Sequence, residues 1–225
     1  SVSPKPGRRL TWRCCIVRVL IVDDHHVVRR GVREIFADAF ACLQVGEAEN
    51  SKTALELLMN QEWDLVLLDI NLPGRSGLEV LEEAKRLRPQ TPVLVLSAYP
   101  EEEFAIRSLK AGASGYLTKT LAADEMLAAA RKVMSGGRYV TVSLAERLAS
   151  TLGPDVQSAP HESLSSRELQ VLRLIAGART IKEIAAELGL SQKTVNTYRA
   201  RLAKKLGLSS NVQLARYALK HNLVD

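Results

Sequence analysis

Five side chains able to handle a phosphoryl group or a divalent cation stand at the ends of short apolar runs. Asp23 and Asp24 follow Ile16–Val22, Asp69 ends Leu65–Asp69, Ser97 follows Val93–Leu96, and Lys119 follows Ser114–Leu117. Each alone has a plain explanation. An aspartate after a strand is usually a turn or cap residue. An acidic pair ahead of a helix favours its positive end. A lone lysine is a solvated charge and a lone serine a cap. Brought together, they are something else. Three close carboxylates in a low-dielectric cleft repel one another and require a cation. A hard, oxygen-rich set with open positions suits Mg²⁺. A metal there would let one carboxylate attack phosphorus and would offset charge on the transferring group.

These groups converge only if the runs lie side by side. A further apolar run spans Leu43–Glu47, and amphipathic stretches separate the runs near Val27–Phe36, Lys52–Asn60, Gly77–Leu87, Glu102–Leu109 and Ala122–Ser135. Five β-α units over about 120 residues predict an α/β domain, a parallel sheet with helices on both faces. Near-continuous strands such as Leu-Val-Leu-Leu and Val-Leu-Val-Leu are what two-sided burial requires. In such a sheet, functional side chains gather at the carboxyl ends of the strands. Gly136-Gly137 closes the last helix. Residues 138–161 read as a linker with a helical segment, Leu144–Leu152, and a Gly153-Pro154 break. From Leu164 the pattern is all helical. Ser165-x-x-Glu168, Thr180-x-x-Glu183 and Ser210-x-x-Gln213 each match a capping box, and Ser191 can cap a fourth helix. Helices are expected at 166–176, 181–188, 192–206 and 211–221. Gly189-Leu190-Ser191 joins the second to the third tightly, a helix-turn-helix arrangement.

Charge divides the chain at the same place. The 225 residues carry a formal net charge of +6. Residues 161–225 hold 11 basic and 5 acidic side chains, net +6, whereas residues 19–160 are net −5. The first 18 residues carry five basic side chains and no acid. An acidic module joined to a compact basic one suggests a regulator with a nucleic-acid-binding end. A hydrophobic content of 46% with 25% charged residues excludes a fully disordered chain, and 4% aromatics argues against single-strand stacking platforms. Cys14, Cys15 and Cys42 form no zinc-spaced set, and their odd count fits a reducing compartment. No run reaches the roughly 18 apolar residues of a membrane span, so no membrane partner is expected and the expected location is cytoplasmic. Residues 1–15 read as a flexible basic lead-in.

The acid–hydroxyl–lysine set resembles the receiver domain of two-component response regulators over residues 16–137. The resemblance implies a flavodoxin-like, doubly wound five-stranded parallel sheet. It implies Asp69 as phospho-acceptor, forming an acyl phosphate, and a sensor histidine kinase as donor. It implies Mg²⁺ held by Asp23, Asp24, Asp69 and the backbone carbonyl of Asn71, and Lys119 on the phosphoryl oxygens. Ser97 and Tyr116 match the switch pair, and Asn71-Leu72-Pro73-Gly74 fits the loop after the acceptor. The spacings, 45 residues from Asp24 to Asp69 and 22 from Ser97 to Lys119, suit the family. Two positions depart from it. Thr120 stands where many receivers have proline, and His25-His26 lies beside the acids.

Residues 162–225 resemble the LuxR-type helix-turn-helix of the NarL/FixJ regulators, a small four-helix all-α domain. The carrying text is Leu164-Ser-Ser-Arg-Glu168, Lys182-Glu-Ile-Ala185, Ser191-Gln-Lys-Thr-Val-Asn-Thr-Tyr198 and Lys205-Leu206. Ile181 stands where the family often has asparagine. The third helix is the candidate reader, since an α-helix fits the major groove of double-stranded DNA. Lys193, Asn196, Thr197, Ala200, Arg201 and Lys204 share one side of it. Asn196 can pair with adenine and the Thr197 methyl can meet thymine. Lys193, Thr194, Arg201 and Lys204 suit phosphates, which give affinity without sequence information. Tyr198 can contact phosphate or pack. Val212, Ala215, Ala218 and Leu219 form an apolar stripe, read first as core and second as a dimer contact. The resemblance implies a DNA-binding response regulator, not an enzyme beyond slow autodephosphorylation, acting as a homodimer. Two rivals are kept: a constitutive DNA-binding regulator whose receiver only dimerises, and an aspartate-nucleophile phosphatase. The phosphatase wants Asp-x-Asp after the first strand, and here the pair is adjacent.

Overall fold

The computed structural model describes residues 16–225 except 74, 100, 152–159, 222 and 225. The lead-in, Gly74 and the Gly153-Pro154 break lie outside the described residues. Five strands, β1 (Val17–Val22), β2 (Leu43–Ala48), β3 (Leu65–Leu68), β4 (Val93–Ser97) and β5 (Gly115–Thr118), alternate with helices α1 (His26–Ala39), α2 (Ser51–Asn60), α3 (Gly77–Leu87), α4 (Glu101–Lys110) and α5 (Ala123–Met134). All pairings are parallel, in the order β2-β1-β3-β4-β5. This is the parallel sheet with helices on both faces expected from the run pattern, in the doubly wound order that the resemblance implies.

The strands alternate strictly between two cores. Val19, Ile21, Leu65 and Leu67 pack with Val32 and Phe36 of α1 and with Met126, Ala129 and Val133 of α5. Leu20, Val22, Val66 and Leu68 face the other way, onto Leu58, Leu81 and Phe104 from α2, α3 and α4. Period-2 alternation in strands buried on both faces explains why the runs look continuously apolar. Trp63 closes one edge: its indole N–H donates to the Leu57 carbonyl at 3.1 Å, and its ring lies where a Cβ on Gly46 would stand.

Helix α6 (Val142–Thr151) and a single 3₁₀ turn (Pro160–Ser163) lead into α7 (Ser166–Ala176), α8 (Ile181–Glu187), α9 (Gln192–Leu206) and α10 (Asn211–Lys220). These bounds fall within one residue of the expected helices. All three capping boxes form, and Ser191 accepts from the Thr194 N–H. Lys205 adds a 2.6 Å ion pair to Glu168. Although burial opposes the charge, Lys205 and the Ser165 N–H hold the Glu168 carboxyl below its usual range. Gly207, at φ 67°, gives α9 its left-handed C-cap.

The core below α2–α4 runs on without a break into the C-terminal helices, taking in Leu164, Leu169, Leu172, Val195, Leu202 and Leu214. The two lobes are therefore packed against each other. Two expectations change. On α10 the buried apolar residues are Leu214 and Ala218, while Val212 and Leu219 are 79% and 54% exposed, so only Ala218 of the expected stripe is core. Cys42 is disulfide-bonded, against the expectation of reduced cysteines. Cys14 and Cys15 lie outside the described residues.

Candidate phospho-acceptor and DNA-binding sites

Strand register brings the acids together. β1 pairs with β3 so that Val22 faces Leu68, and the next residue on each strand is Asp23 and Asp69. The Asp69 N–H continues the ladder onto the Val22 carbonyl at 2.8 Å. On the other side β4 and β5 place Ser97 opposite Thr118, so Lys119 emerges beside Ser97 and donates its N–H to the Ser97 carbonyl at 2.8 Å. The chain reverses its direction of winding between β1 and β3, which opens a crevice above their ends.

Asp23 and Asp69 are each 2% exposed. The Lys119 ammonium bridges them, 2.6 Å from Asp23 Oδ2 and 2.8 Å from Asp69 Oδ2. Burial drives the Asp69 carboxyl above its usual range; Lys119 pulls it down and the Asp23 charge pushes it up, and burial wins. For Lys119, burial disfavours the ammonium, but Asp69 and Asp23 together outweigh it and raise its pKa. Asp69 Oδ1 accepts from the Asn71 N–H at 3.1 Å. The Lys119–Thr120 peptide is trans, since the described chain holds no cis bond.

The residues fit a divalent cation. One potential ligand atom from each of Asp23, Asp24, His25 and Asp69 falls within 4.8 Å of the others. Asp23 Oδ2 is buried and accepts no well-directed hydrogen bond; Lys119 meets it as an ion pair. Buried carboxylates so close together require positive charge beside them, and the three acids supply the hard oxygens that a divalent cation takes.

Several supporting residues were not legible as functional. The buried Arg29 donates Nη1 to the Asp23 carbonyl at 2.6 Å and Nε to Glu47 at 3.1 Å, fixing the turn that presents Asp23. Its signal is the one-turn spacing from His25 on α1, visible only once Asp23 is suspected. Gly77 opens α3 directly against the Asp69 backbone: a Cβ there would stand 2.0 Å from the Asp69 carbonyl oxygen and 2.6 Å from Ile70 Cα. Backbone cannot yield as a side-chain tip can. Gly77→Ala is therefore expected to cost about 2 kcal/mol by overpacking and to slow phosphate incorporation. Urea unfolding and the labelling rate check both.

The two residues expected as the switch pair, Ser97 and Tyr116, meet the lobe interface through Tyr99. The buried Ser97 Oγ accepts from the Tyr99 N–H at 3.1 Å. The Tyr116 ring is buried, and its hydroxyl donates to the Tyr99 carbonyl at 2.8 Å. The Tyr99 ring stacks on Phe104 with centroids 4.9 Å apart, and the Arg173 guanidinium of α7 lies 4.8 Å from its centre. From α7, the buried Arg167 donates to the Leu72 carbonyl at 2.6 Å and to Gln170 at 2.8 Å; Gln170 in turn reaches Asn71 at 3.5 Å. Arg107 of α4 donates to the carbonyls of His161, at 2.8 Å, and Leu164. The C-terminal lobe thus touches the loop that follows Asp69 and the residue that Ser97 holds.

On α9, Val195 and Leu202 are buried, and Lys193, Asn196, Thr197, Ala200, Arg201 and Lys204 line one open face. Thr197 is exposed, and its hydroxyl donates to the Lys193 carbonyl at 3.0 Å. The Thr194 hydroxyl pairs with Ser191 at 2.8 Å. Tyr198 is half-buried against the hydrophobic core.

Residues 19–131 match the response regulator receiver domain, and residues 162–218 match the luxR family of bacterial regulatory proteins. The chain is 39% identical over 211 residues to the response regulator GacA of Pseudomonas aeruginosa, covering 93% of this chain and 99% of that one. It is 37% identical over 211 residues to the response regulator UvrY of Escherichia coli, covering 93% and 97%. RcsB from Salmonella enterica serovar Typhimurium, solved bound to promoter rprA in the presence of phosphomimetic BeF3⁻, is similar at 25% identity and a TM-score of 0.59, covering 90% of this chain and 98% of that one. No described helix is long and apolar enough to cross a membrane.

Proposed function

The chain belongs to the NarL/FixJ-type response regulators, a receiver joined to a LuxR-type DNA-binding domain, and from that premise we propose that a sensor histidine kinase phosphorylates Asp69 and so changes how the two lobes and two copies of the chain are arranged on DNA. The units are residues 16–137 and 162–225, joined by residues 138–161. It is a DNA-binding regulator of transcription. The observation that carries the finer reading is the Lys119 bridge between two buried carboxylates at adjoining strand ends.

Asp69 is the nucleophile: one of its oxygens forms the bond to phosphorus as the donor's imidazole nitrogen leaves. Asp23, Asp24, Asp69 and the Asn71 carbonyl would hold Mg²⁺, which supplies neutralisation of the charge on the phosphoryl oxygens. Lys119, already on Asp69 Oδ2, moves with the new phosphoryl group and pairs with it. Hydrolysis of that acyl phosphate is slow, so turnover is not the function.

Ser97 then exchanges its bond to the Tyr99 N–H for one to a phosphoryl oxygen. Tyr99 carries Arg173 and accepts from Tyr116, so freeing its N–H loosens the lobe interface. The acceptor loop, which carries Arg167 through Leu72, adds a second route. The reader face of α9 is exposed while the lobes are packed. Control therefore acts on the placement of two DNA-binding lobes rather than by covering one. Val212 and Leu219, exposed on α10, support homodimer contact. A two-fold dimer calls for paired half-sites. The expected location is cytoplasmic.

The test treats the protein with Mg²⁺ and a small phosphoryl donor, and measures label and retention of paired-half-site DNA. Labelling with tighter retention is expected. An unlabelled protein would sink the receiver reading; labelling with unchanged retention would favour a receiver that only dimerises. Lys193, Arg201 and Lys204 are read as phosphate contacts and Asn196 as a base contact. Lys193→Ala or Lys204→Ala should weaken binding about equally on all sequences and lower the slope of log affinity against log salt by about 1 each. Asn196→Ala should instead relax sequence preference, at a cost of about 1–3 kcal/mol on the preferred site. Fluorescence anisotropy over a salt series separates the two.

A further inference from the structure

We propose that Glu47, on a strand that brings no group of its own to the phospho-acceptor site, is a positioning residue for Mg²⁺ binding. Acting through Arg29, it holds Asp23 where the ion needs it, while Asp69 and Lys119 are held independently of it. The inference rests on the reading of Asp23, Asp24 and Asp69 as a cation site.

Three observations carry it. First, the Asp23 backbone is hung from β2 on both sides. Its N–H donates to the Ala48 carbonyl at 3.0 Å, and its carbonyl accepts from Arg29 Nη1 at 2.6 Å. Arg29 Nε in turn donates to Glu47 at 3.1 Å. Register makes this possible: Ile21 lies opposite Glu47 and Val22 opposite Ala48, so two consecutive residues of β2 meet the end of β1. Second, Glu47 is held on both oxygens. Oε2 takes Arg29, and Oε1 takes Arg33 at 3.2 Å, so the carboxylate has a fixed direction. Arg29 itself is 8% exposed and joins two partners from different elements with one planar fork. A lysine, a single point charge, cannot span both. Third, the other half of the site hangs elsewhere. The Asp69 N–H rests on the Val22 carbonyl, and the Lys119 N–H on the Ser97 carbonyl. Their side chains meet each other directly at 2.8 Å.

The consequence follows from what moves with what. Shifting the Asp23 peptide shifts the carboxylate it carries, and residues that orient a metal ligand govern affinity nearly as much as the ligand does. A paired buried arginine can also serve stability alone. The Asp23 carbonyl at the end of the Glu47–Arg29 chain is what ties this pair to the ion. Loss of Glu47 should therefore weaken Mg²⁺ binding and leave the acceptor chemistry intact once Mg²⁺ is saturating.

The test titrates the full-length, unphosphorylated protein with Mg²⁺ by calorimetry, then measures the labelling rate with acetyl phosphate at saturating Mg²⁺. Glu47→Ala and Arg29→Lys should each weaken Mg²⁺ binding by about tenfold. Glu47→Gln keeps an oxygen for Arg29 and should stay within about threefold of wild type. Arg33→Ala leaves the Arg29 chain whole and should stay within about twofold. Labelling at saturating Mg²⁺ should stay within about twofold of wild type in all four. Urea unfolding without Mg²⁺ reports the stability effect separately. A Glu47→Ala protein that is less stable but binds Mg²⁺ as the wild type does overturns the proposal. Equal weakening in Glu47→Gln and Glu47→Ala also overturns it, since charge and not orientation would then be at work. So does labelling that stays slow at saturating Mg²⁺. If the wild type binds no Mg²⁺, or Asp24→Asn binds it as the wild type does, the cation-site reading fails instead.

Discussion

Replacing Asp69 with asparagine is expected to abolish phosphate incorporation and at the same time to make the protein more stable at neutral pH. The first effect follows from removing the nucleophilic oxygen that would form the acyl phosphate. The second follows from where the carboxyl sits. Burial holds its pKa above the ordinary value of 3.8, in spite of the attraction of Lys119. The folded state therefore binds this proton more tightly than the unfolded chain does. Stability from the protonated carboxyl is fully present below the ordinary range and is lost as pH rises through the raised folded value. Above that raised value the wild type carries the whole loss, and asparagine, which does not ionise, carries none. Asparagine still offers an oxygen to the Asn71 N–H, and Asp23 still holds Lys119. The gain is expected to be on the order of 1 kcal/mol, about 4 °C in Tm. Thermal unfolding of both proteins from pH 4 to pH 7 should show the gap open as pH rises. Mg²⁺ should narrow it by stabilising the wild type. A variant less stable than wild type at pH 7 would mean that the Lys119 ion pair outweighs burial.

Cutting the lobe interface at Arg107 and Arg167 is expected to raise affinity for paired-half-site DNA without any phosphoryl donor. Arg107 ties α4 to the His161 and Leu164 carbonyls, and Arg167 ties α7 to Leu72, three residues beyond Asp69. Together they hold the packed arrangement that phosphorylation is proposed to loosen. The arrangement is poised rather than locked, because burial opposes the Arg167 charge and lowers its pKa, with attraction from Glu79 working the other way. Arg107→Ala with Arg167→Ala should tighten DNA binding by about tenfold, a coupling of about 1.4 kcal/mol. The extra gain on adding donor should shrink by the same factor, since a ligand shifts an equilibrium only as far as its differential affinity allows. Anisotropy titrations with and without donor measure both quantities. Unchanged affinity together with an undiminished response to donor would sink the idea that this interface restrains DNA binding. Near-ultraviolet circular dichroism of the double variant confirms that each lobe keeps its fold.

Most of the architecture was readable because it is written in local terms. Two-sided strands are apolar throughout, helices repeat every third and fourth residue, and hydroxyls with Glu or Gln three residues on mark helix starts. Ser165, Thr180, Ser191 and Ser210 each cap the helix they were expected to cap. The acid–lysine site was readable for a related reason. A parallel sheet sends every strand end to one edge, so Asp23, Asp69, Ser97 and Lys119 had to share it whatever their separation in sequence. The supporting residues were not readable. Gly77 is required by the approach of α3 to the Asp69 backbone, and Arg29 by the position of Glu47 on a neighbouring strand. Both depend on distances between elements, which no periodicity encodes. Nor did pattern alone tell Val212 and Leu219, which are exposed, from Leu214, which is core. A stripe of apolar residues on a short helix is covered or not according to what packs beside it.

By itself, then, the amino-acid sequence determined two lobes of opposite charge, the order of their elements, the carboxylate, hydroxyl and ammonium at the strand ends, and the polar face of α9. Tertiary structure alone decided that the lobes share one core, that Arg167 and Arg173 reach the acceptor loop and Tyr99, and that His25 turns its ring toward the acids. The physical reason is one of range. Propensity, capping and burial pattern act over a few residues and survive in any neighbourhood. Contacts between residues 57 or 95 positions apart, as between Arg107 and Leu164 or Leu72 and Arg167, exist only once packing has brought their backbones together.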